Sequence, residues 1–377
     1  MKVRKYFPLG KAYGEAFCNR VTETEWLISN LQSNKHSLLI APRRYGKSSL
    51  AEKAIADAKM PWVKINFHLC VTAQDVAELI LSNAIKLIGQ ALGPVDKIIN
   101  SVKKYAASLH PKLSFGHDLV SLELIPQEHA NYAVVIAESL LLVEKLLQEK
   151  NQRAVMFLDE FQEITKIKKD TNLEGAIRTA AQEMQNLAII FSGSIRSLLL
   201  EMFDDEARPL YKLCRKLKLE RIDSVAYRKH INTIALKTWG KALVEEVFVK
   251  LMNLSNRHPY YVNYLCDVIW EECDKLPTVV QVEKAWAIVV DEEWSDAIKE
   301  IGALSLNQRK ILRFIATQPA NNISSHDTCV ALALPSSTIL TAVAVLIDGD
   351  YIELDEIKQY KIINPLLHSV LAEDFVI

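Results

Sequence analysis

The sequence predicts an α/β protein: a parallel sheet flanked by helices, then an all-helical stretch and a short mixed C-terminal part. Two observations carry most of this. The apolar run Leu38-Leu39-Ile40 enters a loop ending Gly46-Lys47-Ser48, and a helix-like segment follows. A second apolar run, Ala154 to Leu158, ends in Asp159-Glu160. Continuous apolar runs of this length suit strands buried on both faces of a parallel sheet. Adjacent carboxylates at the end of such a strand lie at the carboxyl edge, where ligands bind in open α/β sheets.

The elements follow in order. A helix is expected over 20–32, with Trp26, Leu27, Ile28 and Leu31 forming its apolar face. Strand 37–40, the loop and helix 48–58 come next, then strand 62–67. The stretch 68–150 is long for one crossover and reads as an insertion. It holds helices near 72–92, 95–108 and 129–150 and a hairpin near 113–125. After Glu160 a helix near 173–185 leads to strand 187–191 and to Ser192-Gly193-Ser194. From Tyr227 the pattern is helical, interrupted at Ser255 to Tyr261. The last part reads as helices 306–317, 325–332 and 336–347. Strands near 351–354 and 360–363 follow, a winged helix-turn-helix arrangement.

The loop spacing has a chemical meaning. Backbone N–H groups of a strand–loop–helix turn, with the positive end of the helix, can cradle a triphosphate. Residues Pro42, Arg43, Arg44, Tyr45, Gly46, Lys47, Ser48 and Ser49 would wrap it. Lys47 would reach the terminal phosphates, and the Ser48 hydroxyl would sit on Mg²⁺. Ala41 stands where such loops usually begin with Gly, and Ala tolerates positive φ poorly. If the backbone is strained there, Gly should tighten nucleotide binding. Asp159 would be the second metal ligand, and Glu160 the general base that polarises the attacking water. Ser194, and after it Ser192, would sense the terminal phosphate; an ordinary strand-end turn is the competing reading. His258 reads as a phosphate contact or as a capping residue.

Composition excludes several classes. The formal net charge of −1 over 377 residues gives no global basic field for nucleic acid. No apolar run reaches the ~18 residues a membrane span needs, and the start lacks the apolar core of a secretory signal. Six scattered cysteines without a Cys-x-x-Cys pair favour free thiols in a reducing, cytoplasmic setting. Residues 301–377 hold five basic and eight acidic side chains, a net of −3, and the third helix carries no Arg or Lys. Phosphate neutralisation supplies most non-specific DNA affinity. The module is therefore expected to contact protein, with Ile339, Leu340, Val343 and Leu346 in its core. Basic residues 212, 215, 216, 218 and 221 are the one cluster that a DNA-acting protein could use.

Several stretches together carry a resemblance. They are Phe17-Cys18-Asn19-Arg20 with Glu23, Pro42 to Leu50, Asp159-Glu160-Phe161-Gln162, Gly193-Ser194, Pro209-Leu210-Tyr211 and His258-Pro259-Tyr260. The chain resembles the archaeal-type ATPases of the STAND branch, relatives of AAA+ proteins, over nearly its whole length. The resemblance implies a P-loop NTPase domain over 1–225, a helical lid over 226–300 and a winged helix over 301–377. It implies ATP or ADP with Mg²⁺ held between sheet domain and lid, Asn19 and Arg20 near the adenine and Pro259 closing from the lid. It also implies a charge-stabilising arginine, for which Arg208 and Arg215 are the candidates, Arg215 being displaced from the family's position. The expected function is a slow ATP-dependent switch working through a protein partner or self-assembly. A DNA-acting AAA+ ATPase (initiator, loader or transposition regulator) and a non-hydrolysing nucleotide-binding scaffold are the alternatives.

Overall fold

The computed structural model describes residues 6–93, 109–115, 120–126, 131–167, 172–318, 321–355 and 357–372. The helix expected over 95–108 lies outside them. The chain divides into two compact units. One, the sheet unit, comprises Val21–Arg43 and Lys47–Leu219; the other, the helical unit, comprises Met1–Arg20, Arg44–Gly46 and Glu220–Ile377.

The sheet unit begins with α1 (Val21–Gln32), β1 (Ser37–Ile40), α2 (Lys47–Ala58) and β2 (Trp62–Asn66). Helix α3 (Ala73–Leu92) follows, opened by a capping box between Thr72 and Asp75 that satisfies two backbone donors. Strands β3 (Leu109–Phe115) and β4 (Val120–Pro126) pair antiparallel as the expected hairpin. Then come α4 (Tyr132–Glu149), β5 (Ala154–Asp159), α5 (Leu173–Glu183), β6 (Leu187–Ser192), α6 (Arg196–Asp204) and β7 (Arg215–Lys218). The main sheet has the order β2-β5-β6-β1-β7, and every pairing is parallel. Strands β1, β5 and β6 are buried along their whole length, which is why they read as unbroken apolar runs. Strand β7 is an edge with Arg215, Lys216 and Lys218 exposed, a charged border that discourages further pairing.

The order and register set the site. Asn66 lies beside Asp159, Leu158 beside Phe191 and Leu39 beside Ser192. The ends of β5, β6 and β1 therefore sit side by side. One structural acid acts at the opposite end of the sheet, where β6 begins. Buried Glu144 on α4 accepts from the backbone N–H groups of Gln185, Asn186 and Leu187 at 2.8–3.1 Å, fixing the entry to β6.

The helical unit contains α7 (Ser224–Trp239), α8 (Glu245–Ser255), α9 (Pro259–Glu272) and α10 (Val279–Gly302). Next come α11 (Leu306–Thr317), α12 (His326–Leu332), α13 (Ser336–Asp348), an antiparallel pair β8 (Ile352–Leu354) and β9 (Tyr360–Ile362), and α14 (Pro365–Ala372). One apolar cluster runs through all of them, from Tyr261 and Trp286 to Ile311, Leu346 and Leu366. Trp286 Nε1 donates to Ser369 Oγ at 3.0 Å, tying α10 to α14. Of the four residues expected in the α13 core, Ile339, Val343 and Leu346 are buried, but Leu340 is 50% exposed. Ile339, Ala342, Val343 and Leu346 share one buried face, and Leu340, about 100° round the helix from Ile339, lies beyond its edge. No single helix among the described residues is long and apolar enough to cross a membrane.

Candidate functional site

The loop after β1 folds back on its own lysine. Lys47, the first residue of α2, is buried, and its Nζ donates to the carbonyls of Ala41 at 2.8 Å and Pro42 at 2.9 Å. Ala41 is fully buried and does not take a positive φ. The loop's left-handed residues are Arg44 (φ 62°) and Gly46 (φ 85°). The expectation of strain at Ala41 is thereby corrected: the turn is made three and five residues later, so Ala fits at the first position. Arg43 and Gly46 are exposed, while Pro42 and Ser49 are buried.

Beside this loop a carboxylate gathers hydroxyls. Ser48 Oγ donates to Asp159 Oδ2 at 3.0 Å, and Ser192 Oγ donates to Oδ1 at 2.5 Å. Lys64, on β2, brings its Nζ to 2.5 Å from Asp159 Oδ2, 3.4 Å from Ser48 Oγ and 3.8 Å from Glu52 Oε1. Burial pushes the Asp159 carboxyl up, but the Lys64 ammonium and the two serine hydroxyls outweigh it and hold it below its ordinary range. Asp159 and Ser48 offer hard oxygens, one carboxylate and one hydroxyl. That suits Mg²⁺, which keeps waters and takes substrate phosphates rather than an all-protein cage. The described residues hold no cluster of three or more His, Cys, Asp or Glu that would make such a cage.

The next residue adopts φ 52°. Glu160 Oε2 accepts from Ser194 Oγ at 2.7 Å, Ser194 N at 3.2 Å and Gln162 Nε2 at 2.7 Å. A Cβ at Gly193 would overlap the Gln162 amide, so any larger residue there would displace the side chain that donates to Glu160. The two serines at the end of β6 thus divide: Ser192 serves Asp159 and Ser194 serves Glu160.

The remaining loop residues belong to the helical unit. Arg44 lies 4.0 Å over the Tyr260 ring and pairs with Glu293 at 3.2 Å. The Tyr45 ring meets His258 edge-on at 4.8 Å. Arg221 donates to the Tyr45 hydroxyl and to the carbonyls of Asn256 and Ile363, each at 3.1 Å, and pairs with Glu353 at 3.0 Å. His258 is buried. Burial and then the Arg221 and Arg44 cations push its imidazole down to about 3. Pro259 is the first residue of α9, where its missing N–H costs nothing. Asn19 and Arg20 both take positive φ, 56° and 66°, and Arg20 donates to the Glu220 carbonyl at 2.7 Å.

The two arginine candidates each have partners within the sheet unit. Arg208 pairs with Glu174 at 2.5 Å and Glu201 at 3.0 Å. Arg215 donates to Asn30 Oδ1 at 3.1 Å and lies 5.7 Å over Trp26. Sequence reasoning missed Lys64 and Glu52. A signal for the first existed: a lone cation in the apolar strand Trp-Val-Lys-Ile-Asn calls for a buried partner.

No known family model and no curated protein matches the sequence. Among solved structures, a Walker-type ATPase of Pyrococcus abyssi is similar at 18% identity and a TM-score of 0.70, covering 97% of this chain and 99% of that one. The RuvB Holliday junction branch migration motor of Thermotoga maritima follows at 15% identity and TM-score 0.47, with 94% and 95% covered. The ORC1 protein of Aeropyrum pernix, solved in complex with DNA, follows at 13% identity and TM-score 0.49, with 99% and 96% covered. The parallel sheet, its flanking helices and the full-length match to the Walker-type ATPase establish the fold as that of the α/β P-loop ATPases.

Proposed function

We propose that this chain is a Mg²⁺-dependent ATPase of the AAA+ type that works as a slow switch, built like the STAND branch with a helical lid over 226–300 and a winged helix over 301–377. The observation that carries this is the convergence of Ser48, Asp159, Ser192, Glu160 and Ser194 on one sheet edge beside Lys47. In the proposed reaction Lys47 leaves the Ala41 and Pro42 carbonyls for the β- and γ-phosphates. The N–H groups at the start of α2 bind the phosphate oxygens. Ser48 and Asp159 would hold Mg²⁺, which when bound neutralises charge on the β- and γ-phosphates. Glu160 takes a proton from the attacking water, so that ATP and water give ADP and phosphate. Ser194 keeps the Glu160 carboxylate in place until substrate arrives. Asn19, Arg20 and Pro259 are proposed nucleotide contacts, and Arg208 or Arg215 would serve a neighbouring site only after leaving its present partners.

A protein partner or self-assembly is the proposed readout. The exposed side of α13 presents Leu340 and Ile347 and no cation, which suits protein better than phosphate. The test compares two variants. Lys47→Ala should abolish binding of a fluorescent ATP analogue. Glu160→Gln should keep Mg²⁺-ATP bound and slow phosphate release by ~10²–10⁴-fold. Unchanged affinity in the first variant, or unchanged release in the second, refutes the assigned roles.

A further inference from the structure

Lys64 is a charged side chain on a strand whose neighbour β5 is fully buried, so its position needs a cause. Its ammonium faces three oxygens: Asp159 Oδ2 at 2.5 Å, Ser48 Oγ at 3.4 Å and Glu52 Oε1 at 3.8 Å. An ammonium has three donors and no acceptor, and this triad matches it. Asp159 and Glu52 are each less than a tenth exposed, and two buried carboxylates this close to one cation are costly without it. Two of the three oxygens are those assigned above to Mg²⁺. The Phe157 ring, beside Lys64 in the strand register, lies 4.9 Å from Nζ and gives the stem an apolar surface to lie along. A lysine is a point charge on a flexible four-carbon arm, so it can withdraw without moving the strand.

We infer that Lys64 is a tethered counter-ion of the metal site. Its ammonium neutralises Asp159 and Glu52 while no Mg²⁺ is bound, and it must be displaced from the Asp159–Ser48 pair for Mg²⁺ to enter. The inference rests on the proposed nucleotide site and adds a regulatory property to it: the chain demands more free Mg²⁺ to bind nucleotide than its ligands alone would require. Competition between two cations for one carboxylate is reciprocal, so removing the tethered one raises affinity for the free one.

The experiment is a Mg²⁺ titration of the full chain at fixed concentration of a fluorescent, non-hydrolysable ATP analogue, read by fluorescence anisotropy. Lys64→Met should lower the half-saturating Mg²⁺ concentration by about fivefold or more, since a like charge ~4 Å away costs that much even in water. Lys64→Arg keeps the charge and grips a carboxylate with two parallel donors, so it should raise the half-saturating concentration. It also keeps the proposal falsifiable if the methionine variant does not fold. An unchanged or higher Mg²⁺ requirement in Lys64→Met overturns the inference, as does an unchanged or lower one in Lys64→Arg, while the nucleotide site stands. Wild-type protein that binds no nucleotide at any Mg²⁺ concentration overturns both.

Discussion

At Ala41 the carbonyl accepts from Lys47 Nζ and the side chain is fully buried, while the loop's positive φ values fall on Arg44 and Gly46. Ala41→Gly therefore relieves nothing. It should leave nucleotide affinity equal or slightly weaker and lower stability by roughly 0.5–1 kcal/mol, through the freer unfolded chain. A nucleotide titration beside a thermal melt checks this; tighter binding would restore the strain argument. His258 gives a pH signature. Its folded pKa lies below the ordinary value of 6.5, so it is neutral in the fold. The stability it contributes is fully present above about pH 6.5 and is lost as pH falls toward 3. Between pH 7.5 and 5 this amounts to a fall of about 2 kcal/mol. Burial also pushes His36, His230 and His368 down, so part of the acid sensitivity remains without His258. Urea unfolding at the two pH values should show a drop smaller by about 2 kcal/mol in His258→Gln. An equal drop would mean that His258 is not held neutral.

Among the elements, α3 and α4 are informative because they run in the same direction. Tyr132, at the start of α4, donates its hydroxyl to Gln74, at the start of α3, at 3.2 Å. Two consecutive parallel helices need a return connection the length of the first. Helix α3 has 20 residues, hence roughly 30 Å, which takes at least about nine extended residues to retrace. Replacing 94–130 with a flexible linker of about twelve residues should leave the sheet unit folded, by circular dichroism and nucleotide titration. A linker of about four residues should not, and equal behaviour of the two would refute the parallel packing. This geometry also separates what the sequence could show from what it could not. Strands β1, β5 and β6 were legible because burial on both faces leaves an unbroken apolar run. The capping pairs Thr72–Asp75 and Ser305–Gln308 mark helix starts locally. Helix α14 was not anticipated, although Asn364 before Pro365 is a start signal: its side chain accepts from Leu366 N at 2.9 Å. Glu144 had no such signal. A glutamate among leucines reads as a solvated helix face, and its three backbone donors lie more than forty positions away. In the site, Lys47, Ser48, Asp159 and Glu160 were readable as motif letters. Lys64 signalled a partner without saying which, and Glu52 gave no signal, because their meaning comes from strand pairing and from the helix after the loop.

At the scale of the whole molecule, one core runs through α7–α14 and β8–β9. A cut at residue 300 falls inside α10 and across this core, so either fragment would expose apolar surface. The rivalry between a protein-directed switch and a DNA-acting ATPase is best tested on the full chain. Its net charge of −1, and the −3 of residues 301–377, oppose phosphate contact. On the exposed basic edge β7, Lys216 is paired with Asp204. Fluorescence anisotropy at low salt should detect no tight binding of duplex DNA, with or without ATP. Tight binding that falls steeply with salt would favour the DNA-acting reading.

The strand order has a consequence for synthesis. Among the described residues strand β1 pairs with β6 and β7 alone, and both are made long after it. Its Ser-Leu-Leu-Ile backbone therefore has no partner in the main sheet until residue 187 and beyond have left the ribosome. At ~5–20 residues per second that wait lasts on the order of ten to thirty seconds. Through it, an apolar segment and its loop stay unpaired while β2 waits separately for β5. A ligand of the proposed nucleotide site cannot shorten the delay, because the ends of β5 and β6 that form that site are not yet in place. Until its last strands arrive the nascent chain exposes apolar surface of the kind that aggregates, and a ligand can stabilise only the sheet that has formed.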